Sequence, residues 1–435
     1  MKIDPPKPSR RNRWWVAVVV LLITVGAGGS WLIAGSPSLA DVTAAARNAA
    51  NRDSASPTRT GAQLQPRQPG VTTLRDSTAD ARAEADAANN PQAQLAMWTQ
   101  RLQRAEEVFD NYRNSTKYPF ESRPAREHAD QMYPNRAVRE EGKLTNPGQK
   151  PALGIRIRTS QERVYVAGDE TVLFTVNALD MDGNALPLQV TRAIAHDPPL
   201  DGKPSQRNAV KMLFNDDGAK GDVAAGDSIV SARLSPATQG FAGHAGIVRV
   251  ELNVQVNEYT GFVFFDIFYT PDPPATWTGV GTGIGSSGVR EALEAGSLNF
   301  YLKAQVKDAG RYVITGRIDD AKGQPFALIS FNDELSAGAK EIKLNLFGKL
   351  LVDEAPAFPL TLRDVDGFRL LLDASPDRAL MPRREGRVHV TKTYPISAFS
   401  EAEWDSEERR RYLEEYGRDV ASAREHLAHV RRSMK

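Results

Sequence analysis

The hydrophobic pattern along this chain changes character four times, and each change marks a different kind of structure. Trp14 to Ala34 runs 21 residues without a charge. A helix of that length spans roughly 30 Å, the hydrocarbon thickness of a bilayer. Trp14, Trp15 and Trp31 stand at its two ends, where indoles favour the membrane interfaces. From 35 to 90 the pattern dissolves into Ala, Asn, Arg, Asp, Ser, Pro and Gln. Such a stretch buries too little apolar surface to offset its ordering entropy and reads as a disordered tether. A helix of about 91–112 follows, with Leu95, Trp98, Leu102, Ala105, Phe109 and Tyr112 at 3-4 spacing.

From Ile155 onward the period becomes two. Ile155–Arg158, Val164–Val166, Val172–Val176, Leu186–Ile194, Val248–Val256 and Phe262–Tyr269 read as strands of a first sandwich. Phe264, Phe265 and Phe268 are its expected core. Pro271, Pro273 and Pro274 close it. A second block offers strands at 298–306, 310–318, 326–332, 340–346, 368–372 and 387–393. The last segment, 400–435, is a mixed-charge helix that Ser400 to Glu403 opens as a capping box. Leu413, Val420 and Leu427 alternate with Tyr416, Ala423 and Val430 at heptad spacing. The two helical seams can pair with each other, join other chains, or lie each on its own sandwich.

The expected architecture is therefore mainly β. Two tandem immunoglobulin-like β-sandwich domains carry an N-terminal transmembrane helix, a disordered tether and flanking α-helices. The divisions fall at 1–13 (basic tail), 14–34 (span), 35–90 (linker), 91–150 (helix and irregular connector), 151–274 (first sandwich), 275–289 (linker), 290–399 (second sandwich) and 400–435 (helix).

Charge then sets orientation and limits partners. Lys2, Lys7, Arg10, Arg11 and Arg13 precede the span against one acid, Asp4. The positive-inside rule puts that tail in the cytoplasm and the sandwiches beyond the membrane. The expectation is a single-pass inner-membrane protein with a periplasmic folded portion. A cleaved signal peptide is the competing reading, since Ser38-Leu39-Ala40 has the small residues a signal peptidase needs. Overall, 55 basic residues face 54 acidic ones, so no global field favours nucleic acid. Cysteine is absent, which excludes disulfides, thiol nucleophiles and thiolate metal sites.

Candidate chemistry concentrates at 214–228. Asp216, Asp217, Asp222 and Asp227 lie within 12 residues and are interleaved with glycines, a set of hard oxygen ligands suited to calcium. The EF-hand spacing is not met, and an Asp/Gly turn between strands explains the same residues. No other cofactor is implied. Gly283 to Gly288 is formally GxGxxG, but Pro271 to Trp277 stands where the fold of a dinucleotide site needs a buried strand, so 283–288 reads as a connector and 289–295 as a helical turn beyond it. His426 and His429 share a helix face without acidic co-ligands, and Asn114-Ser115-Thr116 is an acceptor sequon. No GxSxG, HExxH or Walker loop occurs.

The stretches 213–234, 296–351, 363–382 and 392–404 resemble the choice-of-anchor X domain family of exported bacterial proteins. The likeness covers about 150–404. It implies β-sandwich folds, an envelope location and a non-enzymatic role. Where loops of that family read Gly-Asp-Gly before an aromatic, this chain follows Asp227 with Ser228, Ile229 and Val230. The reading that results is a membrane-anchored envelope protein presenting β-sandwiches for protein binding or assembly, without catalysis. Trp277 and the aspartate loop are its candidate contacts. A polysaccharide-binding module or hydrolase and a calcium-dependent adhesin are the alternatives.

Overall fold

The computed structural model describes residues 90–435 apart from 147, 149, 200–206, 220, 280–287, 373 and 435. The expected span at 14–34, the tether up to 89 and most of the GxGxxG segment lie outside those residues. Among the described residues no helix is long and apolar enough to cross a membrane.

The fold is mainly β, with 42% strand and 21% helix. In the first sandwich one sheet runs β2 (Val138–Lys143), β3 (Arg156–Gln161), β5 (Val172–Leu179) and β6 (Ala185–Leu186), with β9 (Val230–Leu234) also on β5. The facing sheet runs β4 (Tyr165–Ala167), β11 (Tyr259–Thr270), β10 (Gly246–Val256), β7 (Gln189–His196) and β8 (Val210–Lys211). Alternation places Val172, Phe174 and Val176 of β5 opposite Val250, Leu252 and Ile267, all fully buried. Phe174 and Phe265 meet across the core at 4.8 Å between ring centroids.

The second sandwich faces β13 (Val289–Glu294), β14 (Ser297–Val306), β12 (Ala275–Trp277) and β17 (Gly338–Leu346) against a longer sheet. That sheet runs β1 (Ser122–Pro124), β16 (Pro325–Leu335), β15 (Gly310–Asp319), β18 (Thr361–Leu370) and β19 (Arg378–Leu380), with β20 (Arg384–Val390) also on β18. Phe300, Leu302, Tyr312, Ile314 and Leu344 fill a core separate from the first. Gly348 opens α2 (Gly348–Glu354) where a Cβ would stand 2.0 Å from the carbonyl oxygen of Gly296, so no larger residue fits there.

Several local expectations are corrected. Residues 289–294 form a strand, because Val289, Ala292 and Leu293 pair along β14 where a helix would leave that edge bare. The connector expected at 275–289 begins with a strand, and the one at 91–150 holds β1 and β2, which pair into different sandwiches. Phe264 is not a core residue. Strand alternation turns it outward, half-exposed beneath Arg249, while Phe265 points in.

The seams pair with each other. In α1 (Pro91–Ser115) Trp98 stacks on His426 of α3 (Glu407–Ser433) at 4.3 Å, and Tyr112 meets Tyr412 and Tyr416. Helix α3 starts later than the capping box suggests. Ser406 is its N-cap and accepts from the Arg409 N–H, while Ser400 accepts from Ala402 in the preceding turn. Arg409, buried at the base of the hairpin, donates to Thr116 and Glu403.

Two outcomes follow. Phe265→Ala is expected to cost about 3–5 kcal/mol and Phe264→Ala about 1 kcal/mol or less in denaturant unfolding. Equal losses would contradict the register of β11. The buried Tyr312 hydroxyl donates to the carbonyls of Asp308 and Pro274, and burial pushes its pKa from 10.0 up to about 12. A raised pKa stabilises fully below pH 10 and that contribution is lost as pH rises from 10 toward 12. Wild type should lose stability across that window more steeply than Tyr312→Phe, which itself costs about 1–2 kcal/mol at neutral pH.

Candidate functional site

The aspartate loop joins β8 to β9 and is closed by an Asn215–Ser231 bridge. Its glycines at 218, 221 and 226 take positive φ, which turns backbone amides toward the carboxylates. Asp216 accepts from Gly226 (2.7 Å), Asp227 (3.2 Å) and Ser228 (2.9 Å) N–H groups. Asp222, buried, accepts from Gly218 N–H at 2.6 Å and Ser231 Oγ at 3.2 Å. Carboxylate oxygens of Asp216, Asp222 and Asp227 lie within 4.8 Å of one another.

Asp217, the fourth candidate, is not in that group. It turns back to accept from the Asn215 amide and the Ala219 N–H. Ser228 sits at φ 65, a conformation that costs a non-glycine residue on the order of 1 kcal/mol. Asp216 offsets that strain by holding the Ser228 amide. Trp277, the other candidate contact, is structural. Its indole N–H donates to the Pro382 carbonyl and its ring packs on the second core.

A second site arises where the sandwiches meet. Leu380 N–H donates to Thr270 Oγ at 3.0 Å, and Arg163 pairs with Glu385 at 2.9 Å. Arg383 donates to the Tyr165 carbonyl (2.7 Å) and to Asn135 (3.0 Å), while its own N–H reaches Glu170. Between these contacts opens a cleft of ≈ 410 Å³, lined by Tyr165 and Glu170 from the first sandwich and by Arg317, Asp366, Phe368 and Arg378 from the second.

Arg317 lies on the outer face of its sheet, yet it is only 4% exposed. The connector after β1 covers it, with Gln131 accepting from its Nε at 2.9 Å. Its Nη1 donates to the Asp364 carbonyl and the Asp366 carboxylate, each at 2.6 Å. The bulge in β18 makes this geometry. Register shifts on either side of Arg363, and Asp364 stands at φ 48. Asp364 is held there by Asn135, Gly386 and Arg363. Arg378 lies 4.8 Å from the Phe368 ring centroid and 5.7 Å from that of Tyr165. Its hydrogen bonds to Asp377 hold the guanidinium pKa above its ordinary value and the Asp377 carboxyl below its own.

Sequence reasoning passed over this second site. The available signal was the charged run Arg363-Asp-Val-Asp366 inside a strand that also carries Leu362, Phe368 and Leu370.

No family model and no curated protein matches the chain. Solved structures with partial likeness include a DUF4785 family protein from Legionella pneumophila, 12% identical with a TM-score of 0.36 over 54% of this chain and 56% of that one. Alpha-2-macroglobulin from Escherichia coli is 14% identical with a TM-score of 0.26, over 56% of this chain and 15% of that one. The adhesin InvE from Yersinia pseudotuberculosis is 9% identical with a TM-score of 0.15, over 52% of this chain and 56% of that one. The chain thus spans about half of the Legionella protein and a small part of the macroglobulin.

The calcium expectation now has three residues in place of four. It predicts that millimolar calcium raises the melting temperature of the protein, that Asp227→Asn abolishes the rise and that Asp217→Asn keeps it. No rise with calcium would leave the loop as a turn closed by its own amides.

Proposed function

We propose that this chain is a non-catalytic recognition component of a bacterial cell envelope. The 14–34 span anchors it in the inner membrane, and the paired sandwiches are displayed on the periplasmic side. The apolar span with its basic flank and the resemblance to choice-of-anchor X domains support the location. One structural observation carries the recognition role. The two sandwiches are pinned to each other by Thr270–Leu380, Arg163–Glu385 and the Arg383 contacts, and this joint frames a cleft to which both contribute. Clefts at domain junctions with a few fixed polar groups are the usual setting for ligand binding. A joint held by several hydrogen bonds, with the Leu380–Thr270 bond buried, presents such a cleft already formed, which lowers the ordering cost of binding.

The test is site-specific photo-crosslinking in intact cells with the full-length protein. A crosslinker at Tyr165, on the cleft, is compared with one at Phe264, exposed on the first sandwich away from it. An envelope component captured from Tyr165 and not from Phe264 is the expected result. Identical capture profiles, or none from Tyr165, would overturn recognition at the cleft. A C-terminal tag that resists protease once the outer membrane is opened would overturn the periplasmic placement.

A further inference from the structure

One sheet of the first sandwich overhangs the other. Register places Val138, Glu140 and Gly142 of β2 on the same face as Gln161, Thr159 and Ile157 of β3. Ile157 and Gln161 are buried on that face, yet every residue of β2 is exposed. The strand position beside β11 is filled at one end alone, where β4 pairs with Phe268–Thr270. The rest of that β11 edge is capped at two points. The Phe262 and Phe268 N–H groups point away from β10 and donate to the Thr145 and Val164 carbonyls. The Asp266 carbonyl accepts from the Gln161 side chain. By the same parity the N–H and C=O of Phe264 and the N–H of Asp266 face outward. They have no partner among the described residues.

Between β2 and this edge opens a cavity of ≈ 420 Å³. Buried Leu144, Ile157 and Phe265 line it, and Glu140, without an ion pair among the described residues, borders it. Natural edges are blunted by charge, bulges or covering. This one instead presents Phe264, 51% exposed. Main-chain donors and acceptors spaced along a strand are matched by another extended chain. We infer that the β11 edge docks an extended peptide segment of another protein, which adds as a strand beneath β2. Side chains two positions apart on the guest face inward. One is aliphatic, below Gly142 and beside Ile157, and the other is a Lys or Arg that pairs with Glu140. This groove shares no lining residue with the cleft at the joint and is independent of what that cleft binds.

The chain has no cysteine, so one introduced thiol reports docking by disulfide trapping in the full-length protein in detergent. Thr145→Cys, on an exposed side chain, puts the thiol at the Gly142 end of the groove. Ser433→Cys, at the end of α3, is the reference. The probes are the activated disulfides of Cys-Thr-Val-Thr-Lys-Thr and of its reversed sequence, one for each strand direction. With one of the two, the Thr145→Cys thiol is expected to react about tenfold or more faster than the reference. N-methylation of the peptide backbone should abolish the advantage, and Glu in place of the peptide Lys should reduce it. Glu140→Lys, on an exposed side chain, should reverse the order of the Lys and Glu peptides. An N-methylated peptide that reacts as fast would overturn main-chain pairing. An unchanged order in Glu140→Lys would overturn the placement beneath β2. No advantage over the reference with either direction would overturn the docking site.

Discussion

Arg317 can be buried on the outside of a sheet only if something covers it, and much of the molecule is arranged around that covering. The guanidinium donates to Gln131, Asp364 and Asp366, which lie on the connector and on the bulged strand β18. Removing a charged group from water is tolerable where its donors are met by oriented oxygens. The connector is thereby fixed across the second sandwich, with Met132 and Ala125 packed on Leu328 beneath it. The same connector carries Asn135, which reaches both Asp364 and Arg383. From there the link passes to Tyr165 at the edge of the first sandwich.

This chain of contacts explains why the cleft and the joint are one feature. Strand β4 pairs with β11 over Phe268–Thr270 alone and would be an open edge by itself. The β19 region of the second sandwich lies against that edge, with Leu380 bonded to Thr270. Covering the edge removes a site for strand addition and brings Tyr165 beside Arg378. The strained backbone at Asp364 fits the same logic. A bulge with a left-handed residue turns Arg317 and Asp366 toward one another, and three hydrogen-bond partners hold it in place.

The aspartate loop obeys a different constraint. Three carboxylates within 4.8 Å repel, and the loop answers with amides from residues 218, 226, 227 and 228. Its conformation is written into the alternation of Asp and Gly. That is why the sequence pointed at it; Asp217 stands apart from the other three because its neighbour Asn215 offers a nearer donor.

Local pattern by itself determined most strands, the two separate cores, the two long helices and the clustering of Asp216, Asp222 and Asp227. These depend on period-two alternation, apolar spacing and turn residues, which act over a few positions. What only the tertiary structure decided depends on residues far apart. The seam of α1 meets that of α3 across some three hundred positions, as Trp98 on His426 shows. Strand β1 leaves its sequence neighbours to pair with β16. Phe264 and Phe265 differ in burial because pairing with β10 sets the parity of β11. Alternation alone puts Arg317 on a solvent face. It is buried because a connector nearly two hundred residues earlier crosses that face, and no local pattern encodes such a crossing.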